Sequence, residues 1–353
     1  MPLTVVSLAY PFVPVGFDTV GGTEQVVAHL DEMLVRGGHR SIVVACEGSR
    51  IAGTLAATPP LPTSGPVDQS TWDWAYEVHR QTLREVLATN DVDVLHLHGV
   101  DFHKYLQDSA PATLATLHLP PHNYPDQVWR AGRSLQMVSC VSRYSRRQYP
   151  PQAPMALVTC GVSLDQFHPG PAKEDFVVAL GRISPEKGFH LALDAARQAG
   201  LPLLLAGRVP PFPEAERYFE EEIRPRLDAD RRFLGSVALA ERAELLARAR
   251  CLAVPSLVHE TGPLVAMEAL ASGTPVVAFP VGAVPDNIEH GRTGLLVNGV
   301  EEMARAFERA AWLDPRECRR AASKRFSAER MGRDYLELYH ALAAIGRNDS
   351  VAA

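Results

Sequence analysis

The chain has 353 residues, 46% apolar and 22% charged, with a net charge of −6. These values fit a folded protein of about two domains and exclude wholesale nucleic-acid binding, which requires a basic surface. No apolar run approaches the ~20 residues of a membrane-spanning helix, the N-terminus lacks the basic-then-apolar order of a signal peptide, and the scattered Cys46, Cys140, Cys160, Cys251 and Cys318 are expected as buried free thiols of a cytoplasmic protein.

Leu3–Leu8 is predicted as a strand, followed by a Pro- and Gly-containing loop that ends at Gly21-Gly22. Val26, Val27, Leu30, Met33 and Leu34 then recur at helical spacing until Gly37-Gly38. Ser41–Cys46 is the next strand, which completes a βαβ unit with parallel strands. Residues 48–71 and 120–133 read as loops. Val92–Leu97, Thr113–Leu117, Leu135–Val141 and Ala156–Thr159 are further strands, apolar enough to be covered on both faces.

The Pro- and Gly-containing run Asp165–Glu174 interrupts this pattern and is expected as the interdomain linker. The second αβ series has strands at Phe176–Leu180, Leu203–Ala206, Arg232–Leu234, Leu252–Val254, Val276–Ala278 and Leu295–Val297. Helices are predicted near 188–199, 215–227, 240–249 and 263–272, with 300–345 wholly helical. The resulting division is a Rossmann-like domain over 1–168, a second over 169–330, and a C-terminal helix and tail over 331–353 packing back on the first. Doubly wound sheets bind ligands outside the carboxyl ends of their strands. Two such domains facing each other would enclose one cleft, and their closure would exclude water.

The candidate chemistry lies at strand ends of the second series. Gly181, Arg182 and the Lys187-Gly188 pair follow Phe176–Leu180. Two fixed cations there would stabilise a leaving diphosphate. The same residues could instead form a solvated turn with Glu186 and Lys187 pairing on the surface. After Leu252–Val254 comes the loop Pro255–Glu260 and a helix expected to place Pro263 at its first position. The amides of Leu264 and Val265 would then face a phosphate. Glu260 precedes this helix within reach of sugar hydroxyls. Glu268, taken as about two turns in, could accept from both ribose hydroxyls, or could be a charged spot on an amphipathic helix. Its apolar neighbours Leu264, Val265, Met267, Ala269 and Leu270 mean that the carboxylate needs a partner. Gly235 and Val237 are placed at the base, through their backbone.

The stretches Gly21–His39, Asp93–His98, Ala115–Pro120, Ser139–Arg147, Val158–Pro169, Gly181–Gly188, Pro255–Ala278 and Gly282–Val297 occur in one order along the whole chain. Together they resemble the retaining nucleotide-sugar glycosyltransferases of family 4, group 1, marked by Glu-x7-Glu. That resemblance implies the α/β GT-B fold and a soluble donor–acceptor reaction without a cofactor or metal. It implies that Arg182 and Lys187 bind the diphosphate, Glu260 the donor sugar and Glu268 the ribose. His118 then lies beside the reacting carbon. Gly21 and Gly22 let the backbone approach substrate closely, and Gly262 joins the donor-binding loop. Relatives commonly carry Phe-Gly where this chain has Gly262-Pro263, and Pro263 removes one backbone donor.

The expected reaction moves a hexose or N-acetylhexosamine from a UDP-sugar, with GDP-mannose as the other donor considered, to a small-molecule or saccharide acceptor. No covalent nucleophile can be assigned. Attack on the leaving-group face, with a phosphate oxygen taking the acceptor proton, is one course. The alternatives are a hydrolysing UDP-sugar epimerase and a noncatalytic nucleotide-binding subunit. Asp91/Asp93, Asp228/Asp230 and the His96, His98, Asp101, His103 cluster are discounted as metal sites. The arginines Arg130, Arg133, Arg143, Arg146 and Arg147 are read as solvated and not as a membrane face. Homodimer formation is left open.

Overall fold

The computed structural model describes residues 1–19, 21–61, 68–107, 111–126, 128, 135–149 and 155–352, the last six by backbone alone. It divides into two compact units. The first holds Met1–Thr159 and Glu329–Ala353, and the second holds Cys160–Ala328.

In the first unit the chain runs β1 (Thr4–Leu8), α1 (Gly22–Arg36), β2 (Arg40–Cys46), β3 (Thr54–Thr58), α2 (Gln69–Thr89), β4 (Val94–Leu97), β5 (Ala112–Leu117), β6 (Met137–Cys140), α3 (Arg143–Gln148) and β7 (Met155–Leu157). All seven strands are parallel, in the order β3-β2-β1-β4-β5-β6-β7. Every residue of β4 and β5 is buried, as two covered faces require.

In the second unit follow β8 (Glu174–Leu180), α4 (Phe189–Ala199), β9 (Leu203–Ala206), α5 (Pro213–Tyr218), β10 (Arg231–Gly235), α6 (Leu239–Arg248), β11 (Ala249–Val254), α7 (Leu264–Ala271), β12 (Val276–Ala278), α8 (Val284–Asn287), β13 (Gly294–Leu296), α9 (Val300–Ala310) and α10 (Pro315–Arg325). Its six parallel strands are ordered β10-β9-β8-β11-β12-β13. Both sheets start at an inner strand, wind outward in one direction, then return past the start to wind in the other. The reversal lies between β1 and β4 in the first sheet and between β8 and β11 in the second. Such a reversal leaves an open crevice at the carboxyl ends of the two strands.

Last comes α11 (Ala328–Ala352), whose Tyr335 and Tyr339 are buried in the first unit. The Tyr339 hydroxyl lies 2.7 Å from His96 Nδ1, and the Tyr335 hydroxyl 3.0 Å from Thr116 Oγ1. These bonds let polar groups sit among apolar ones beneath the sheet.

Three expectations change. The stretch 48–71 is not only loop, because Thr54–Thr58 pairs with β2 as an edge strand and Gln69 opens α2. The helix expected over 215–227 is shorter and irregular: α5 passes into a π turn at Phe219–Ile223 and a 3-10 turn at Arg224–Arg226. Pro225 lacks the amide that would continue an α-helix. The region 300–345 is three helices, broken at Asp314-Pro315 and at Phe326-Ser327. The loop 120–133 lies partly outside the described residues, as do Arg130 and Arg133.

Candidate active site

In the second unit, two loops leave adjacent strands and are tied to each other. The loop after β8 carries Arg182 and then Lys187, in a short 3-10 turn before α4. The loop after β11 carries Ser256 and Glu260. The Leu257 amide donates to the Glu186 carbonyl at 2.8 Å, which joins the two. Gly188 makes the approach feasible. Its φ is +66°, and a side chain there would meet the Pro255 carbonyl oxygen at 2.3 Å.

This brings Lys187 and Glu260 together, with Nζ 2.5 Å from Oε1. The Ser256 hydroxyl donates to the same carboxylate oxygen at 2.9 Å. Lys187 and Glu260 are 22% and 18% exposed, so they are sheltered yet open to a ligand. Arg182 is more exposed and stands 3.7 Å from Glu186 Oε1. The alternative Glu186–Lys187 surface pair does not form: Glu186 faces Arg182 and accepts from Ser184, whereas Lys187 turns to Glu260. The arrangement sets cations beside a carboxylate, which suits an anion bonded to a polyhydroxylated group.

The Glu260 loop is held from below by Gly282. Its φ is +64°, and a side chain would lie 2.5 Å from both the amide nitrogen and the carbonyl oxygen of Glu260. The Ala283 amide donates to that carbonyl at 2.7 Å. Gly282→Ala is accordingly expected to cost about 1–3 kcal/mol in backbone strain alone. Its thermal melt should fall and its affinity for a nucleotide sugar should drop. A variant matching the wild type in both would show that this contact does not hold Glu260.

Pro263 takes the N-cap position and not the first helical one, because α7 begins at Leu264. Leu264 and Val265 are half-buried in its first turn. Glu268 is the fifth residue of α7, little more than one turn in, which corrects the two turns expected from sequence. It is 2% exposed, and burial pushes its carboxyl up, opposed by Arg242. Arg242 of α6 supplies the partner that the apolar neighbours demand: its Nη2 lies 3.3 Å from Glu268 Oε1. Arg242 is not legible in the sequence, since nothing in its own helix marks it as different from the neighbouring charges. Gly235 closes β10 at φ +74°, and both it and Val237 are half-buried before α6.

The first unit holds His118, Gly21 and Gly22. His118 follows β5, with Nε2 3.3 Å from His98 Nδ1, and burial pushes its imidazole down to about 4. It is therefore neutral near pH 7. Gly21 caps α1, of which Gly22 is the first residue. The space a side chain at Gly21 would take is filled by the Glu24 carboxylate, 1.8 Å from that position. Burial pushes Glu24 up to about 7.

Asp93, Asp228 and His96 among the discounted groups have structural partners. Asp93 accepts from the Thr4 amide at 2.9 Å, at the amino end of the sheet. Asp228 accepts from the Asp230 and Arg231 amides in a turn. His96 bonds Tyr339 and Thr116. Among the described residues, no group of three or more His, Cys, Asp or Glu side chains is placed to hold a metal ion. The five cysteines are buried free thiols. Among the described residues, no helix is long and apolar enough to cross a membrane.

Comparison with known proteins agrees with this layout. Residues 174–311 match the model of the group 1 glycosyl transferases, and residues 20–166 match that of glycosyltransferase family 4. The chain is 35% identical over 176 residues to D-inositol 3-phosphate glycosyltransferase of Corynebacterium efficiens, covering 47% of this chain and 39% of that relative. The match thus spans less than half of the relative's length. A sucrose-phosphate synthase from Thermosynechococcus elongatus superposes with a TM-score of 0.79 at 21% identity, over 97% of this chain and 100% of that one. HepE from Anabaena, solved in complex with UDP and glucose, gives 0.73 at 18% identity over 95% and 99%. Both structures share the fold of two Rossmann-like domains.

Proposed function

Because the chain belongs to the family 4, group 1 glycosyltransferases with the GT-B fold, we propose that it moves a hexose or N-acetylhexosamine from a UDP-sugar to a small-molecule or saccharide acceptor with retention of configuration. The observation that carries this reading is the Lys187–Glu260 contact, with Arg182 on the same loop as Lys187, where β8 and β11 end. The second unit would take the donor and the first unit the acceptor. As the glycosidic bond to the leaving phosphate breaks, the diphosphate gains charge, and Arg182 and Lys187 answer it. Glu260 orients the sugar hydroxyls. The acceptor oxygen bonds the anomeric carbon, and its proton passes to the released diphosphate.

Two comparisons support the substrates. The relative named above acts on D-inositol 3-phosphate, a small soluble polyol. HepE holds UDP and glucose in a chain of the same fold. A neutral His118 fits a role as a hydrogen-bond partner of the sugar more than as an acid.

Two cations and the amides of Leu264 and Val265 supply the charge that a metal would otherwise supply. Activity is therefore expected to survive EDTA. Complete loss that Mn²⁺ or Mg²⁺ restores would overturn this part of the proposal. The overall reading is tested by incubating the protein with UDP-glucose, UDP-N-acetylglucosamine or GDP-mannose, with and without a panel of polyols and saccharides. UDP release should require both a UDP-sugar and an acceptor, and the product should keep the donor's anomeric configuration. UDP release with a free epimerised sugar and no acceptor would mark a hydrolysing epimerase. Binding without turnover throughout would mark a noncatalytic subunit.

A further inference from the structure

Glu268 presents a physical problem. A carboxylate on α7 that is to accept from ribose hydroxyls must be ionised, yet it is 2% exposed and surrounded by apolar residues. Burial alone favours its protonated form. A protonated carboxyl would spend one oxygen as a donor and could not accept symmetrically from two hydroxyls.

The surroundings contain one answer. Arg242 lies in the first turn of α6, directly after the Gly235–Val237 loop. Its side chain is 17% exposed, and the guanidinium reaches Glu268 Oε1 at 3.3 Å. Its other face lies over the Phe167 ring, 5.6 Å from the centroid, which limits where the guanidinium can move. Other charged groups from elements packed against α7 point elsewhere. Arg319 of α10 donates to the Ala271 carbonyl, and Lys173 donates to the Ser272 carbonyl, both at the far end of the helix. Of these cations, Arg242 is the one that acts on the Glu268 carboxyl. The Arg242 contact engages Oε1, which leaves Oε2 as the oxygen for a ligand hydroxyl.

We infer that Arg242 is a positioning residue for the nucleoside, holding Glu268 ionised and oriented toward the ribose, and linking the loop that precedes α6 to that contact. The inference rests on the proposed ribose role of Glu268. A positioning cation of this kind differs from a diphosphate ligand, because its loss acts through the protonation of a neighbour.

The test titrates UDP into the full chain by calorimetry between about pH 7 and about pH 9, where the phosphates of UDP are already ionised. Wild type, Arg242→Ala, Arg242→Gln, Arg242→Lys and Glu268→Ala are compared. Arg242→Gln keeps a donor and removes only the charge, and it serves if Arg242→Ala does not fold. Relative to wild type, Arg242→Ala and Arg242→Gln should bind UDP most weakly at the low end. Their affinity should recover with pH, by up to about tenfold per unit, as Glu268 loses its proton. The sign follows from burial raising the carboxyl: binding is lost below that value and gained above it. Arg242→Lys, which keeps a cation beside Glu268, should follow the wild-type pH profile without this recovery. An equal loss for Arg242→Gln at every pH, or no loss, would overturn the inference while leaving the ribose reading intact. UDP binding to Glu268→Ala as tight as to wild type would instead remove the ribose reading itself.

Discussion

Lys187→Ala and Arg182→Ala are each expected to lower kcat by about 10²–10³-fold, with the fold intact. The two variants reach that result differently. Lys187 is sheltered and bonded to Glu260, so its removal takes the charged donor from Glu260 Oε1 and leaves the Ser256 hydroxyl. The site then changes from net neutral to negative where a diphosphate must come. Both KM and kcat should suffer, and Lys187→Met combined with Glu260→Gln should bind nucleotide better than Lys187→Met alone. Arg182 is more than half exposed, and its 3.7 Å pair with Glu186 is worth at most about 1 kcal/mol. Arg182→Ala should therefore melt like the wild type while losing turnover. Steady-state rates with the UDP-sugar, measured beside thermal melts, separate the two effects. Near-normal turnover in both single variants would remove the diphosphate site.

Much of this site could be read from the chain because its parts are local. Arg182 and Lys187 sit on one loop between a strand and a helix, and Glu260 and Glu268 flank one helix start. Short spacing and apolar periodicity are enough to place such groups at strand ends. What joins them is not local. The Lys187–Glu260 contact depends on β8 and β11 being neighbours although 73 residues separate the two side chains. Only the winding order of the sheet gives that adjacency. Arg242 was missed for the same reason, since its partner lies on another helix. The edge strand Thr54–Thr58 was hidden by composition: TLAAT is half-exposed and short, and it lies among Gly, Pro, Ser and Thr. The following helix did carry a signal, because Asp68 caps it by accepting from the Thr71 amide at 2.8 Å.

Lys173→Met should produce a large loss of stability, although Lys173 touches none of the proposed substrate contacts. Its ammonium donates to the Ala247 carbonyl at 2.8 Å, the Ser272 carbonyl at 3.1 Å and Thr274 Oγ1 at 2.5 Å, with the Leu246 carbonyl at 3.4 Å. Those carbonyls belong to the C-terminal ends of α6 and α7, which have no partner further along their own helices. One half-buried cation thus completes two helix ends; burial pushes its ammonium down to about 8, and the negative ends of two helix dipoles act against that shift. Methionine keeps the stem and takes the charged donor from the Ala247 and Ser272 carbonyls, while the Leu246 carbonyl keeps the Thr274 hydroxyl. Hydrogen bonds to charged groups contribute roughly 1.5–3 kcal/mol each and do not add fully, so about 3–5 kcal/mol should be lost. In a unit of this size that lowers Tm by roughly 10 °C. The site should feel the change as well, because α6 carries Arg242 and α7 carries Glu268. UDP affinity should fall with the melting point held safely above the assay temperature. A melt within about 2 °C of wild type would mean that Thr274, whose hydroxyl also donates to Leu246, closes these helix ends without the lysine.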